Sequence, residues 1–156
     1  MQELHYCKKW FRAKKIALDP LSETEARIRH SKDESYTVLV GDAESPTCFM
    51  EVASRSVGVD FLDDRLRLVL SYAFQELEPG RLFLSMATSR EFDGVTNTVA
   101  SGTTYFFQPS GDVKIRRERF IPDHLLETSD TEADVQTNWD NYPEFGDYAS
   151  LGRAER

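Results

Sequence analysis

The sequence predicts a mainly β to α+β fold in one domain: a curled antiparallel sheet of hairpins, a few short helices and an irregular acidic C-terminal segment. Three observations lead there. Short runs of β-branched and aromatic residues recur between turn signals spaced ten to fifteen residues apart, the pattern of an antiparallel sheet rather than of βαβ units. Nothing resembling a linker, a repeat or a low-complexity run divides the chain before Phe120. Finally, residues 1–119 carry 17 basic and 18 acidic side chains, whereas residues 120–156 carry 2 and 9, so the net charge of −8 resides almost wholly in the last quarter. We therefore divide the single domain 1–156 into a globular body, 1–119, and an acidic aromatic segment, 120–156. A chain of 156 residues with 40% apolar residues can bury roughly 70% of its unfolded surface, and is too apolar for a disordered acidic chain.

The first segment mixes Tyr6, Trp10, Phe11, Ile16 and Leu18 with five cations and then breaks at Asp19-Pro20; it predicts an early strand or short amphipathic element with a basic face. Next, Ser22 and Glu25 have capping-box spacing, so Leu21 to Glu34 holds a short helix or an ordered loop. Tyr36 to Val40 and Thr47 to Val52 are β-prone and flank the turn-rich Gly41 to Pro46, as a hairpin does. Val57 to Leu62 makes a third strand.

Asp64 to Leu77 satisfies two periods. A helix would gather Leu66, Val69, Leu70, Ala73, Phe74 and Leu77 on one face, with Asp63 or Asp64 as N-cap,. A strand would gather Leu66, Leu68, Leu70, Tyr72 and Phe74,. The strand is favoured because the helix leaves Leu68 and Tyr72 on its far side, and because Leu82 to Thr88 follows Pro79-Gly80 as a second hairpin arm would. Asp93-Gly94 is a turn, Val95 to Ala100 is β-prone, and Thr103 to Arg119 is a hairpin around Pro109-Ser110-Gly111-Asp112,.

Chemical motifs are scarce. His5, His30 and His124 lack the spacing of a metal site, Cys7 and Cys48 lack paired spacing, and the glycines stand apart from one another. The sequence thus predicts no metal, no cofactor and no glycine-rich phosphate loop. Cys7 reads as a half-buried small hydrophobe, and the pairs Asp63-Asp64, Glu76 with Glu78 and Glu91 with Asp93 as solvated turn carboxylates,. The start of the chain has no basic n-region followed by an apolar core, and no apolar run approaches about 20 residues; we expect a soluble, cytoplasmic protein. The acidic field disfavours nucleic acid and anionic membrane as partners.

Trp139, Tyr142, Phe145 and Tyr148 recur every third residue among Asp140, Glu144 and Asp147, with Pro143 and Gly146 breaking any helix. The rings either fold back on the sheet or, with Asp130, Glu132, Asp134, Asp140, Glu144 and Asp147, dock on a basic protein surface; both can hold together, with rings tethering and carboxylates facing out. The hairpin Thr103-Thr104-Tyr105-Phe106-Phe107-Gln108-Pro109-Ser110-Gly111-Asp112-Val113, followed by Asn138-Trp139-Asp140-Asn141-Tyr142-Pro143-Glu144-Phe145-Gly146-Asp147-Tyr148, resembles the immunity proteins of bacterial polymorphic toxin systems. The resemblance covers the C-terminal half. It implies tight, stoichiometric, non-enzymatic neutralisation of a cognate toxin whose basic active site the acidic protein blocks. Set against this are a small barrel-like enzyme with a pocket lined by Phe61, Tyr72, Phe74, Phe83, Tyr105 and Phe107, and an adaptor domain of a larger assembly.

Overall fold

The computed structural model describes residues 2–156. Its strands are β1 (Leu4–Phe11), β2 (Ile16–Leu21), β3 (Tyr36–Gly41), β4 (Pro46–Ala53), β5 (Ser56–Leu62), β6 (Leu68–Glu78), β7 (Arg81–Phe92), β8 (Val99–Phe107), β9 (Asp112–Arg119), β10 (Leu125–Glu132) and β11 (Trp139–Asn141), with one α-helix, α1 (Glu23–Ser31). All join one antiparallel sheet in the order β10-β9-β8-β7-β6-β5-β4-β3-β1-β2, and β11 pairs β7 beside that path. From β3 to β10 the chain is an uninterrupted meander. The N-terminal hairpin is added at the far edge, and the sheet stays open, with β10 and β2 as its edges.

Local chemistry accounts for the punctuation. Ser22 caps α1 through a reciprocal capping box with Glu25, satisfying two of the helix's unpaired amides. Ambiguous residues 64–77 form a strand, and Asp63 is not a helix cap: its Oδ1 accepts from the amides of Arg65 and Arg67 at 3.0 and 2.9 Å. That turn, with Leu66 at φ 58°, delivers the chain into β6.

Two expectations need correction. Asp19-Pro20 does not end the first segment; Pro20 lies within β2, opposite Cys7. An edge strand needs its amides on one side only, so proline is tolerated there. Val95 to Thr98 is loop, with Val95 68% exposed, and β8 begins at Val99. Gly94, at φ 57°, turns the chain as Asp93-Gly94 predicts.

The larger core gathers Val38 and Val40 of β3, Met50 and Val52 of β4, Val57 and Val59 of β5, Phe74 of β6, and Leu82 and Leu84 of β7. Only part of its cover is helical. Ala26 of α1 enters it, and so do Tyr148 and Leu151 of the C-terminal segment. A smaller cluster, Cys7, Trp10, Leu39, Phe49 and Leu62, forms a second core. Both cysteines are free and buried, and burial pushes each thiol up to about 11, so they pack as small hydrophobes. Among the described residues no helix is long and apolar enough to cross a membrane.

Leu151, 1% exposed, tests whether the C-terminal segment belongs to the core. Leu151→Ala is expected to lower unfolding stability by about 2–5 kcal/mol, and Val95→Ala to leave it within about 0.5 kcal/mol. Urea titrations of both proteins check this; equal midpoints would place Leu151 outside the cooperative core.

Candidate functional site

The C-terminal segment divides into an exposed strand and a strap. Its first part is not irregular: Leu125–Glu132 is β10, paired along its length with β9 so that Glu127 lies opposite Arg117 and Asp130 opposite Lys114. Every residue of β10 is exposed. Asp130, Glu132 and Asp134 are thus open to solvent along the outer strand and the loop beyond it. Close by in sequence, Phe120, Ile121, Leu125 and Leu126 are 37–46% exposed; along β10, Leu126 shares a face with Asp130 and Glu132, and Leu125 shares the opposite face with Glu127,.

From Trp139 onward the chain crosses the sheet as a strap. Trp139 packs on Phe83 at 4.9 Å between ring centroids, and the Arg81 guanidinium lies 4.6 Å from the Trp139 ring. The Tyr142 hydroxyl donates to the Ala53 carbonyl at 2.7 Å. Phe145 stacks on Tyr6 at 5.2 Å, with Arg27 4.5 Å from its centroid. Tyr148 is buried, and its hydroxyl meets that of Tyr36 at 2.9 Å. These four rings tether the segment to the body. Tyr148 therefore has no surface to offer a partner, and the other three already spend ring faces or polar tips on the fold.

Asp140 also leaves the set of surface groups. Arg156 Nη2 donates to its Oδ2 at 2.9 Å, the two side chains being 5% and 10% exposed, and Ser150 donates to Oδ1 at 3.1 Å. The pair ties the end of the strap to its beginning, and the same guanidinium lies 5.0 Å from the Phe74 ring. Truncating either partner would strand a buried charge, a change costing several kcal/mol in comparable pairs. Glu144 and Asp147 remain exposed, near α1 and β1 rather than beside β10. Five of the expected contact carboxylates therefore face solvent, in two separate groups. Arg116 ion-pairs with Glu118 of its own strand at 3.4 Å rather than with the strap.

Sequence reasoning passed over the polar cluster beneath the strap. His30 Nδ1 lies 2.8 Å from the Tyr36 hydroxyl, and its ring packs against Tyr142 and Phe145 at 6.1 and 5.8 Å. Burial pushes Tyr6 up to about 12 and raises Tyr36 and Tyr148 as well, keeping these phenols protonated. Desolvation lowers the His30 pKa, partly opposed by Asp33. A lone histidine in the last turn of a short helix carries no sequence signal for this; only the long-range return of Tyr142 and Phe145 creates it.

The ring-lined pocket does not form. Phe74 and Phe83 are solid core, 1% and 0% exposed, and of the six rings named for it only Tyr72 borders the large cavity of about 690 Å³. No group of three or more metal-ligating side chains is present among the described residues. In comparison with known proteins, no family model, no curated protein and no solved structure matches the chain.

Burial lowers the His30 pKa, so the stability of the fold is expected to be acid-sensitive at this residue. The unfolded chain holds the proton more tightly, so this stabilisation is complete above the ordinary value of 6.5 and is lost as pH falls through the folded-state value. The melting temperature is expected to drop between pH 7 and pH 5 by more in the unsubstituted protein than in His30→Gln. Parallel thermal melts measure it; identical drops would remove His30 from the pH response.

Proposed function

We propose that this protein is a non-catalytic binding protein that neutralises a basic protein partner, an immunity protein against a bacterial toxin. The observation carrying the reading is β10 with the loop after it: eight exposed strand residues on an open sheet edge, followed by Asp134, with Glu127, Asp130, Glu132 and Asp134 and no cation between Leu125 and Asp134. Leu126, exposed on the face of β10 that also carries Asp130 and Glu132, supplies an apolar contact for an interface centre, and the carboxylates supply steering toward a positive surface. Such a surface is what an enzyme acting on phosphate-bearing substrates presents. Glu144 and Asp147 extend the negative field without belonging to the same patch. Trp139, Tyr142, Phe145 and Tyr148 hold the strap in place and are not the anchors of this interface.

Expression of the adjacent upstream gene product in a bacterium, with and without this protein, tests the reading. Rescue of growth and a one-to-one complex are expected. Replacing Asp130, Glu132 and Asp134 by their amides is expected to slow association and flatten its salt dependence, whereas Leu126→Ala, if Leu126 lies at the interface centre, weakens the complex through faster dissociation by roughly tenfold, about 1.4 kcal/mol. Trp139→Ala is expected to lower stability. Absence of both toxicity and a complex would defeat the immunity assignment; a complex indifferent to the β10 substitutions would move its interface elsewhere.

A further inference from the structure

We infer that the trough over β5, β6 and β7 is a binding site for a small organic anion with an apolar body, its charged head held by Arg90. The site is separate from the acidic edge and independent of the toxin-binding reading. Its floor follows from the register: Gly58 faces Ala73, Ala73 faces Met86 and Asp60 faces Ser71, and directly opposed residues project from the same side of a sheet. Gly58 and Ala73 are too small to fill the space above them. Nothing lies within 4 Å of where a Gly58 Cβ would stand, and no positive φ requires glycine there. The cavity above, about 690 Å³, is of the size that accommodates small-molecule ligands.

Its charge runs against that of the chain. Four cations, Arg12, Lys15, Arg67 and Arg90, and two carboxylates, Glu51 and Asp60, line it, in a protein of net charge −8. Both carboxylates are already occupied by Arg12 Nη2, at 2.7 and 3.2 Å, and Arg67 is neutralised by Asp63 at 2.8 Å. Lys15 and Arg90 are left with neutral acceptors. Lys15 Nζ donates to the Arg65 carbonyl and to Asn97 Oδ1, each at 2.8 Å, and Arg67 Nη1 donates to the Gly94 and Thr96 carbonyls. Stapling of three loops accounts for those two cations. It does not account for Arg90.

Arg90 Nη1 donates to Ser71 Oγ at 2.9 Å and to the Leu68 carbonyl at 3.4 Å, while its Nε and Nη2 have no acceptor among the described residues. Ser71 is itself fixed by donating to Asp60, so the guanidinium is oriented from below. Its cross-strand neighbour is Gly102, which puts no side chain over it. A partly buried guanidinium with open donors and no counterion is matched by a carboxylate or phosphate. Leu66, Leu68, Met86, Phe92 and Val99 form apolar wall, which suits a hydrocarbon body. Two of the lining residues, Lys15 at φ 55° and Leu66 at φ 58°, adopt a left-handed backbone that costs energy and places both loops at the rim, a kind of strain concentrated at binding sites.

Titration of the full-length protein with octanoate, octyl phosphate and octanol, followed by the backbone amide NMR signals of Ser71, Ala73 and Arg90, tests the site and identifies its head group. At least one anion is expected to shift these signals saturably at submillimolar concentration, and octanol to bind at least tenfold more weakly. Arg90→Met should weaken the anion at least tenfold, with Arg90→Lys retaining part of the affinity. Gly58→Leu, which fills the floor without backbone strain, should abolish binding with the melting temperature retained. The stronger anion names the head group as carboxylate or phosphate. Octanol binding as tightly as the anions, no binding of either anion at millimolar concentration, or unchanged affinity in folded Arg90→Met and Gly58→Leu would each overturn the inference.

Discussion

The fold depends on the docking of its C-terminal strap over the larger core. An open antiparallel sheet of this length must cover the face that carries Val38, Met50, Val52, Val57, Val59 and Phe74, and one helix of nine residues is too short to do so. The strap completes the cover with Tyr148 and Leu151, and fixes their position by directional contacts: the Tyr36 to Tyr148 hydroxyl pair, the Tyr142 bond to Ala53 and the Asp140 to Arg156 pair. Apolar burial supplies the drive; the hydrogen bonds choose one register among many that would bury similar area. The strap therefore acts as part of the body although its composition marks it as an appendage.

The physics that makes a sheet legible also limits what can be read. Alternation identified β6, because a helix would have left Leu68 and Tyr72 on its far side and a second hairpin arm followed at Leu82 to Thr88, and local turn chemistry located the hairpins at Gly41, Gly80 and Gly111. β10 escaped notice since Leu-Leu-Glu-Thr-Ser-Asp-Thr-Glu buries neither face and so has no alternation to detect. Its strand character comes from β9 alone. Trp139, Tyr142, Phe145 and Tyr148 were visible as a three-residue repeat, but which rings meet Phe83, Tyr6 or Tyr36 is decided by contacts spanning 56 to 139 residues of sequence. The trough was illegible for a similar reason: Arg12, Asp60, Ser71 and Arg90 come from four strands or their connections, and no local pattern links them.

Two electrostatic regimes coexist on a small molecule because they are separated and differently solvated. Carboxylates on β10 and its loop stand in water, where salt screens them over roughly 8–10 Å, and their effect on a partner is chiefly one of approach and orientation. Arg67, Lys15 and Arg90 in the trough are partly withdrawn from solvent, and Asp63 and backbone carbonyls hold the first two, so their field is local and less screened than that of exposed Arg12. Net charge describes the first regime and conceals the second. For this reason composition alone argued against nucleic acid and anionic membrane, while the geometry of Arg90 suits a small anion.

The open edges complete the account. An unpaired strand edge invites pairing with another copy of the same chain, and proteins counter this with charge, proline or distortion. β2 uses Pro20 and the left-handed Asp19, at φ 52°. β10 uses charge: a second β10 laid antiparallel against it would bring carboxylates toward carboxylates, which opposes pairing. The same arrangement would suit a segment rich in lysine or arginine, whose side chains on one face would meet Asp130 and Glu132, and on the other Glu127, while its backbone took up the free edge,. One device thus discourages self-association and, in the proposed binding role, would also favour a basic partner. What would distinguish such an edge from a merely solvated one is an apolar contact on the same face as the charges, and on β10 that residue is Leu126, beside Asp130 and Glu132,.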